Sequence, residues 1–233
     1  MFASGQRPDA AAIADLAAQA DAGLPFAISH QPGPRAGWLE LITTGLTFDC
    51  LGLAPGAAAK YPPKGTLLGL DIRPAGEAIA LRPGPHLMAG RTLLPVVRGL
   101  VGLGAALASL PGAMAVSWRP AHSWMAPAYF RSVVADWLGG GAFPGLGLTT
   151  LHRLDDGAMV SHGLAYFTGQ ELRFEPGHGL EVTGIARIAV RLIHDLVGAV
   201  PLLDPIDLTG PGGERVRAEP RADGAMIRIT VMP

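Results

Sequence analysis

The chain has 233 residues, of which 49% are hydrophobic and 16% are charged, and this balance excludes an intrinsically disordered protein. Its 18 basic and 19 acidic residues leave a formal net charge of -1, which argues against broad electrostatic binding of nucleic acid or anionic lipid. Only two basic residues are lysines, Lys60 and Lys64, a bias that is typical of a GC-rich bacterial genome.

The first half of the chain predicts a surface helix, short strands and a long apolar helix. Asp9 is a suitable N-cap for a helix that runs to about residue 22 and stops at Gly23. A helix is also expected over residues 87–110, where the glycines inside the apolar run favour close helix packing. The predicted strands are 38–53, broken at 44–45, then 67–72 and 77–81.

The second half predicts two hairpins and two amphipathic helices. The helices are expected over residues 126–138 and 183–200, and the second is the clearer because its apolar positions share one face. The turns at 155–157 and 223–224 contain Asp-Gly, which supplies the positive φ angles of a tight hairpin. The predicted strands are 113–118, 146–153, 158–167, 171–174, 214–219 and 225–231.

The order of these elements predicts the fold class. Strands come in antiparallel-looking pairs with helices between them, so we expect an α+β fold with a mainly antiparallel or mixed sheet packed against helices. A single domain over residues 1–233 is predicted. The segments 42–48 and 166–172 both place Thr-Gly between strand-like runs, so two related halves, 25–120 and 121–233, are an alternative organisation.

Three features predict a cytoplasmic protein. Cys50 lies in an apolar stretch and has no second cysteine to pair with, so a buried structural thiol is expected. The first residues lack the basic and apolar segments of a secretory signal. Arg91, Pro95 and Arg98 interrupt the apolar run at 87–110, so no membrane span is predicted.

The chemical motifs are mostly absent from the sequence. It contains no Gly-x-Ser-x-Gly elbow, no Walker loop and no His-Glu-x-x-His zinc motif. Seven histidines are present, and the turn at 155–157 would place His152 and His162 on adjacent strands, on one face if their register is even. Even then the pair is loosely spaced for zinc. We expect no metal site and no cofactor.

The segment 118–124 is the strongest candidate for a binding loop. It places Arg119, His122 and Trp124 after a buried strand, with Tyr129 on the following helix, and such loops often carry binding groups. Arg119 could bind an anion and Trp124 could stack on an aromatic ligand. The alternative is that both tryptophans anchor the loop to the core and the polar groups are solvated. Ser123 is also a suitable N-cap for the following helix.

The segment 163–171, with the preceding hairpin and the following helix, has the pattern Gly-hydrophobic-x-x-Phe-x-Gly-x-Glu, which ends at Glu171. It resembles the C-terminal module of the bacterial domain of unknown function family 4261, over roughly residues 113–200. That family has no established catalytic residues, so the resemblance assigns Glu171 no role beyond its place in the motif, and it implies a role in toxin immunity as one option. As a strand residue, Glu171 is expected to point to solvent and to pair with Arg173 or Arg153.

The sequence therefore favours a non-enzymatic binding or interaction protein, such as an immunity or regulatory factor, with a protein partner or a small ligand. A homodimer is compatible with this interpretation. The alternative is an enzyme with an unrecognised site around Arg119, His122, Ser123 and Glu171.

Overall fold

A computed structural model describes residues 1–19, 24–33, 35–176 and 181–232. Its contacts define two compact units, unit 1 with Met1–Ser117 and Trp124–Gly141, and unit 2 with Trp118–Ser123 and Ala142–Pro233. The predicted α+β class is confirmed, because helices accompany three sheets that are antiparallel or mixed. The single domain and the two related halves stay predictions.

The helices and strands follow the chain in this order. The helices are α1 (Ala10–Ala17), α2 (Leu94–Leu107), α3 (Pro127–Leu138), α4 (Gly145–Leu148), α5 (Ala165–Thr168) and α6 (Val182–Leu196). Two 3-10 turns are Pro85–Gly90 and Arg119–Ala121. The strands are β1 (Ala27–His30), β2 (Trp38–Thr43), β3 (Leu46–Leu51), β4 (Thr66–Leu68), β5 (Ala80–Pro83), β6 (Val116–Trp118), β7 (Ser123–Met125), β8 (Thr150–Arg153), β9 (Met159–His162), β10 (Glu171–Phe174), β11 (Ile206–Thr209), β12 (Arg215–Pro220) and β13 (Met226–Met232).

Unit 1 is built on the antiparallel sheet β1-β2-β3-β5. Thr44 and Gly45, at φ 49° and 78°, form the two-residue turn between β2 and β3, which confirms the predicted break. Phe48 and Cys50 of β3 are fully buried, and burial raises the pKa of the Cys50 thiol to about 12. The expected buried thiol is thereby confirmed.

The long predicted helix at 87–110 is shorter in the structure. A 3-10 turn, Pro85–Gly90, comes first, and α2 starts only at Leu94. Proline disrupts the interior of a helix but is tolerated in the first turn, where its missing N–H would have no partner, so the helix starts with Pro95 in that turn. A Cβ added at Gly99 would lie 2.9 Å from Phe48 Cζ, so the expected close packing at the glycines is confirmed. Among the described residues, no helix has the length and apolarity to cross a membrane.

The N-terminal helix α1 is capped as predicted. The Asp9 carboxylate accepts a hydrogen bond of 2.9 Å from the Ala12 amide. The helix ends at Ala17, five residues before the predicted end, and the predicted stop at Gly23 lies outside the described residues.

Unit 2 contains a mixed sheet of order β11-β12-β13-β10-β9-β8, in which β10 and β13 are parallel and the other neighbours are antiparallel. Both predicted Asp-Gly hairpins, β8–β9 and β12–β13, are confirmed. The predicted strand over 158–167 is too long, because Gly163 at φ 93° turns the chain into the short helix α5. Residues 146–148, the start of the predicted strand 146–153, belong to the kinked turn α4 instead, in which Leu146 is extended and Gly147 has φ 119°.

Helix α6 has the expected buried face and ends early. Its buried residues recur at helical spacing, namely Ile185, Ile188, Ala189, Leu192 and Ile193. Val197 adopts an extended conformation and Gly198 has φ 90°, so the predicted continuation to residue 200 is wrong. Val200 is 85% exposed as a result.

Candidate functional site

The segment predicted to carry the site is short and mostly turn. After β6, Arg119–Ala121 forms the 3-10 turn, His122 has the left-handed backbone conformation at φ 50°, and β7 begins at Ser123. Arg119 and His122 are exposed, whereas Ser123 is fully buried. The Arg119 and His122 side chains of this segment are therefore accessible to a ligand, and the Ser123 hydroxyl is not.

Trp124 and Tyr129 belong to unit 1, and their surroundings are described there. The Trp124 ring is 1% exposed and meets the Tyr61 ring edge-on, with centroids 5.8 Å apart. The Arg73 guanidinium carbon lies 5.7 Å from the centroid of each ring. Tyr129 lies on α3, and its partial burial raises the pKa of its hydroxyl. The burial of Trp124 argues against the predicted stacking on a ligand.

The other tryptophan of the segment anchors it in unit 2. The Trp118 ring contacts the Tyr166 ring edge-on at a centroid distance of 5.4 Å and stacks on Phe167 at 6.3 Å. Phe143 packs edge-on against Phe167 at 4.9 Å. These aromatic contacts hold the start of the Arg119–Ala121 turn and agree with the anchoring alternative for Trp118.

Ser123 has a different role from the predicted N-cap. Its hydroxyl donates a hydrogen bond of 2.6 Å to the Gly147 carbonyl, and α3 is preceded by Ala126, which makes no side-chain cap. The cap prediction is wrong because residues 123–125 pair as strand β7, which moves the helix start to Pro127. A hydroxyl committed in this way to a carbonyl is unsuited to act as a nucleophile.

Glu171 folds back onto the segment that precedes it in the chain. Its carboxylate accepts hydrogen bonds from the Ser161 hydroxyl and from the backbone amides of Gly163, Leu164 and Ala165, the amide bonds being 2.8–3.2 Å long. Burial raises the pKa of Glu171, and these four hydrogen bonds act in the opposite direction. The carboxylate therefore organises the turn between β9 and β10.

The prediction that Glu171 points to solvent is wrong, because its carboxylate is bonded to the turn between β9 and β10. The amides at the end of β9 need an acceptor, and the Glu171 carboxylate reaches them. Arg173, its expected partner, forms ion pairs with Asp156 and Glu175 instead. The predicted role in ligand binding stays a prediction for all five candidate residues, namely Arg119, His122, Trp124, Tyr129 and Glu171.

Three histidines converge in unit 2. The register of β8 and β9 places Thr150 opposite His162 and His152 opposite Val160, so the two histidines share a face, as an even register requires. Their ring centroids are 4.5 Å apart, and the His122 ring lies 6.0 Å from that of His162. Burial lowers the pKa of His152 and of His162, and the neighbouring histidines lower both further.

Sequence reasoning considered the pair on the hairpin but missed the third ring. His122 is 40 positions before His162, and only the left-handed conformation at His122 and the position of the turn bring the two rings together. A left-handed histidine has no sequence signature, so no local pattern could have identified this cluster. His178, another of the seven histidines, lies outside the described residues.

Within the described ranges, no group of three or more His, Cys, Asp or Glu residues could hold a metal ion. We therefore expect a chelator to leave stability unchanged. The thermal midpoint should be the same with and without excess EDTA, because a structural metal would contribute directly to the free energy of folding. A fall of more than a few degrees would contradict this expectation.

The comparisons with known proteins add no relatives. No family model, no curated protein and no solved structure matches the chain. The resemblance of residues 113–200 to the domain of unknown function family 4261 stays a prediction.

Proposed function

We propose that the chain is a non-enzymatic binding protein of the bacterial cytoplasm that acts through a protein partner, as an immunity or regulatory factor would. The observation that carries this proposal is an exposed apolar surface beside an edge strand of unit 2. Val200 and Leu203 are 85% and 79% exposed, and Ile206, at the start of β11, is 36% exposed. We call these three residues the β11 surface.

The β11 surface has the properties of a docking site for an extended segment. Among the residues that the structure describes, β11 pairs with β12 alone and is the last strand in the order of its sheet, so one side of its backbone has no neighbouring strand there. A partner strand added there would gain main-chain hydrogen bonds, and the adjacent apolar side chains would bury surface against it. A second copy of the chain is one such partner, which would make a homodimer.

The residues of the enzyme alternative support that function less well. The Ser123 hydroxyl is buried and bonded to a carbonyl, and the Glu171 carboxylate accepts four hydrogen bonds from its own turn. Neither group is poised to receive a proton from a substrate, since catalytic bases need an accessible lone pair within hydrogen-bond distance of the substrate.

The test compares the wild type with a Val200→Asp/Leu203→Asp variant. Both positions are exposed, so the variant should fold, and an equal thermal midpoint would verify this. Ile72→Asp is the matched control, because Ile72 is 77% exposed and lies in unit 1. Each chain is immobilised, and the proteins that it retains from its own bacterium are quantified by mass spectrometry.

We expect a protein that the wild type and Ile72→Asp retain and that the double variant loses. Sedimentation of the same three chains tests whether this protein is a second copy. If the neighbouring gene encodes a toxin, co-expression should rescue growth with the wild type and fail with the double variant. Identical retention by all three chains, with identical sedimentation, would contradict the proposal.

A further inference from the structure

The histidine cluster on the β8–β9 hairpin contains a buried hydrogen-bond relay. The Thr150 hydroxyl donates to the Ala121 carbonyl at 2.7 Å, and its oxygen lies 3.0 Å from His152 Nε2. A hydroxyl has one proton to donate, so His152 must supply the proton of the second bond from Nε2. The additional proton of a charged His152 would therefore bind at Nδ1.

The same hairpin holds the Arg119–Ala121 turn. The Thr150 hydroxyl binds Ala121 in the turn, and two residues after the turn the Ser123 hydroxyl donates to the carbonyl of Gly147, which precedes β8, at 2.6 Å. A Cβ added at Gly163 would lie 2.8 Å from Ala121 Cβ, so the turn lies directly against the end of β9. His122 follows this turn in a left-handed conformation, which few non-glycine residues adopt and which histidine adopts more often than most.

The charged groups near the cluster do not compensate a positive charge on it. Only burial and other histidines shift the pKa of His152 and of His162. On β10, the Glu171 carboxylate is bonded to residues 161–165, and Arg173 is paired with Asp156 and Glu175. Arg119 and Arg153, the exposed charged residues next to the cluster along the chain, are basic, so neither can form an ion pair with a protonated histidine.

We propose that His122, His152 and His162 form a proton-operated latch, which holds the Arg119–Ala121 turn on the β8–β9 hairpin at neutral pH and releases it in mild acid. With uncharged rings, the hydrogen bonds from Thr150 and Ser123 keep the turn docked. When His152 and His162 are both protonated, two like charges lie on rings 4.5 Å apart in partly buried surroundings, and the third ring adds to the repulsion. Moving the turn away separates the His122 ring from the two hairpin rings and lets water solvate all three.

The direction of the pH dependence follows from proton linkage. In the docked state, burial and the neighbouring histidines hold the pKa of His152 and of His162 below 6.5, whereas release exposes both rings to water and removes the His122 ring, so that each pKa rises towards that value. Release therefore takes up protons, and the docked state loses stability as pH falls below 6.5 towards the lowered pKa. Each proton taken up makes release about tenfold more favourable per pH unit in this window.

The first measurement is the titration of the histidine rings by NMR in the full-length protein. We expect His152 to be the Nε2–H tautomer at pH 8, and both hairpin histidines to have a pKa below 6.5. In His122→Asn, the pKa of His162 should rise towards 6.5, because one neighbouring charge is removed. Asparagine is chosen because it tolerates the left-handed conformation. A pKa of 6.5 or more for both rings in the wild type would overturn the proposal.

The second measurement is hydrogen exchange at the His122 amide, which donates to the Arg119 carbonyl when the turn is docked. After correction for the intrinsic rate, protection should fall from pH 7.5 to pH 5 in the wild type and in His86→Gln, a control in unit 1. It should change little in His152→Gln/His162→Gln. If that double variant does not fold, His122→Asn replaces it and should show a shallower pH dependence than the wild type. Equal pH dependence in the wild type and the histidine variant would overturn the latch.

Discussion

Replacing Glu171 by alanine is expected to destabilise the protein by about 3–5 kcal/mol, because it leaves several buried donors at the end of β9 without an acceptor. The lost partners are the Ser161 hydroxyl and the amides of Gly163, Leu164 and Ala165. A hydrogen bond to a charged group contributes about 1.5–3 kcal/mol, and contributions within one network are not additive, so the sum of four bonds would overestimate the loss. Urea unfolding monitored by circular dichroism measures the effect.

The glutamine variant separates the charge of Glu171 from its shape. Glu171→Gln keeps one acceptor oxygen and should be less destabilising than Glu171→Ala. Burial raises the pKa of Glu171 above 4.5, so the folded state holds this proton more tightly than the unfolded chain, and ionising the group costs stability as pH rises through that window. The stability difference between the wild type and Glu171→Gln should therefore narrow as pH rises above 4.5.

The control for this series is Asp195→Ala, because Asp195 forms an exposed ion pair with Arg191 one helical turn away. We expect little change from it. If Glu171→Ala were as stable as Asp195→Ala, the carboxylate would not organise the turn between β9 and β10.

Leu192→Ala is expected to cost about 2–5 kcal/mol, the range for removing a buried leucine side chain and leaving a cavity. Leu192 is 6% exposed and lies on the buried face of α6 beside Ile188 and Ile193, which are each 1% exposed. The surrounding side chains cannot fill the space completely, so the lost contacts add to the lost transfer free energy. The urea midpoint, converted with a common slope, gives the difference.

Val182→Ala is the matched control on the same helix. Val182 is 51% exposed at the start of α6, so its truncation removes little buried surface, and alanine has the higher helix propensity. We expect a change within about 0.5 kcal/mol. A difference of less than about 1 kcal/mol between Leu192→Ala and the wild type would mean that this face of α6 is not part of the core.

Elements with a strong local pattern were predicted closely. Helix α6 begins within one residue of its predicted start, because its apolar spacing of three and four is unambiguous. The strand Glu171–Phe174 has its predicted bounds, and both Asp-Gly turns form hairpins. Strands β1, β7 and β11 were missed. Strands β1 and β11 are short and mostly exposed and therefore lack the alternation of a half-buried strand, and β7 has only three residues, all buried.

The candidate site was predicted less well, because its side chains are directed by partners far along the chain. The Arg119–Trp124 segment was recognised as polar and aromatic, but the burial of Trp124 beside Tyr61 depends on packing across 63 positions. Ser123 bonds to the carbonyl of Gly147, and backbone groups of this kind have the same chemistry at every residue. No residue type in the sequence indicates such a partner.

By itself, the sequence determined the fold class, the hairpins, the buried thiol of Cys50 and the apolar face of α6, because these follow from residue type and from short periodic spacing. Only the tertiary structure decided the parallel pairing of β10 with β13, the return of Glu171 to the amides of 163–165 and the meeting of His122 with His162. The physical reason is the distance along the chain over which each effect acts. Propensity and periodicity act within a few residues, whereas these contacts depend on backbone groups and rings that come together when the sheet and its turns are assembled.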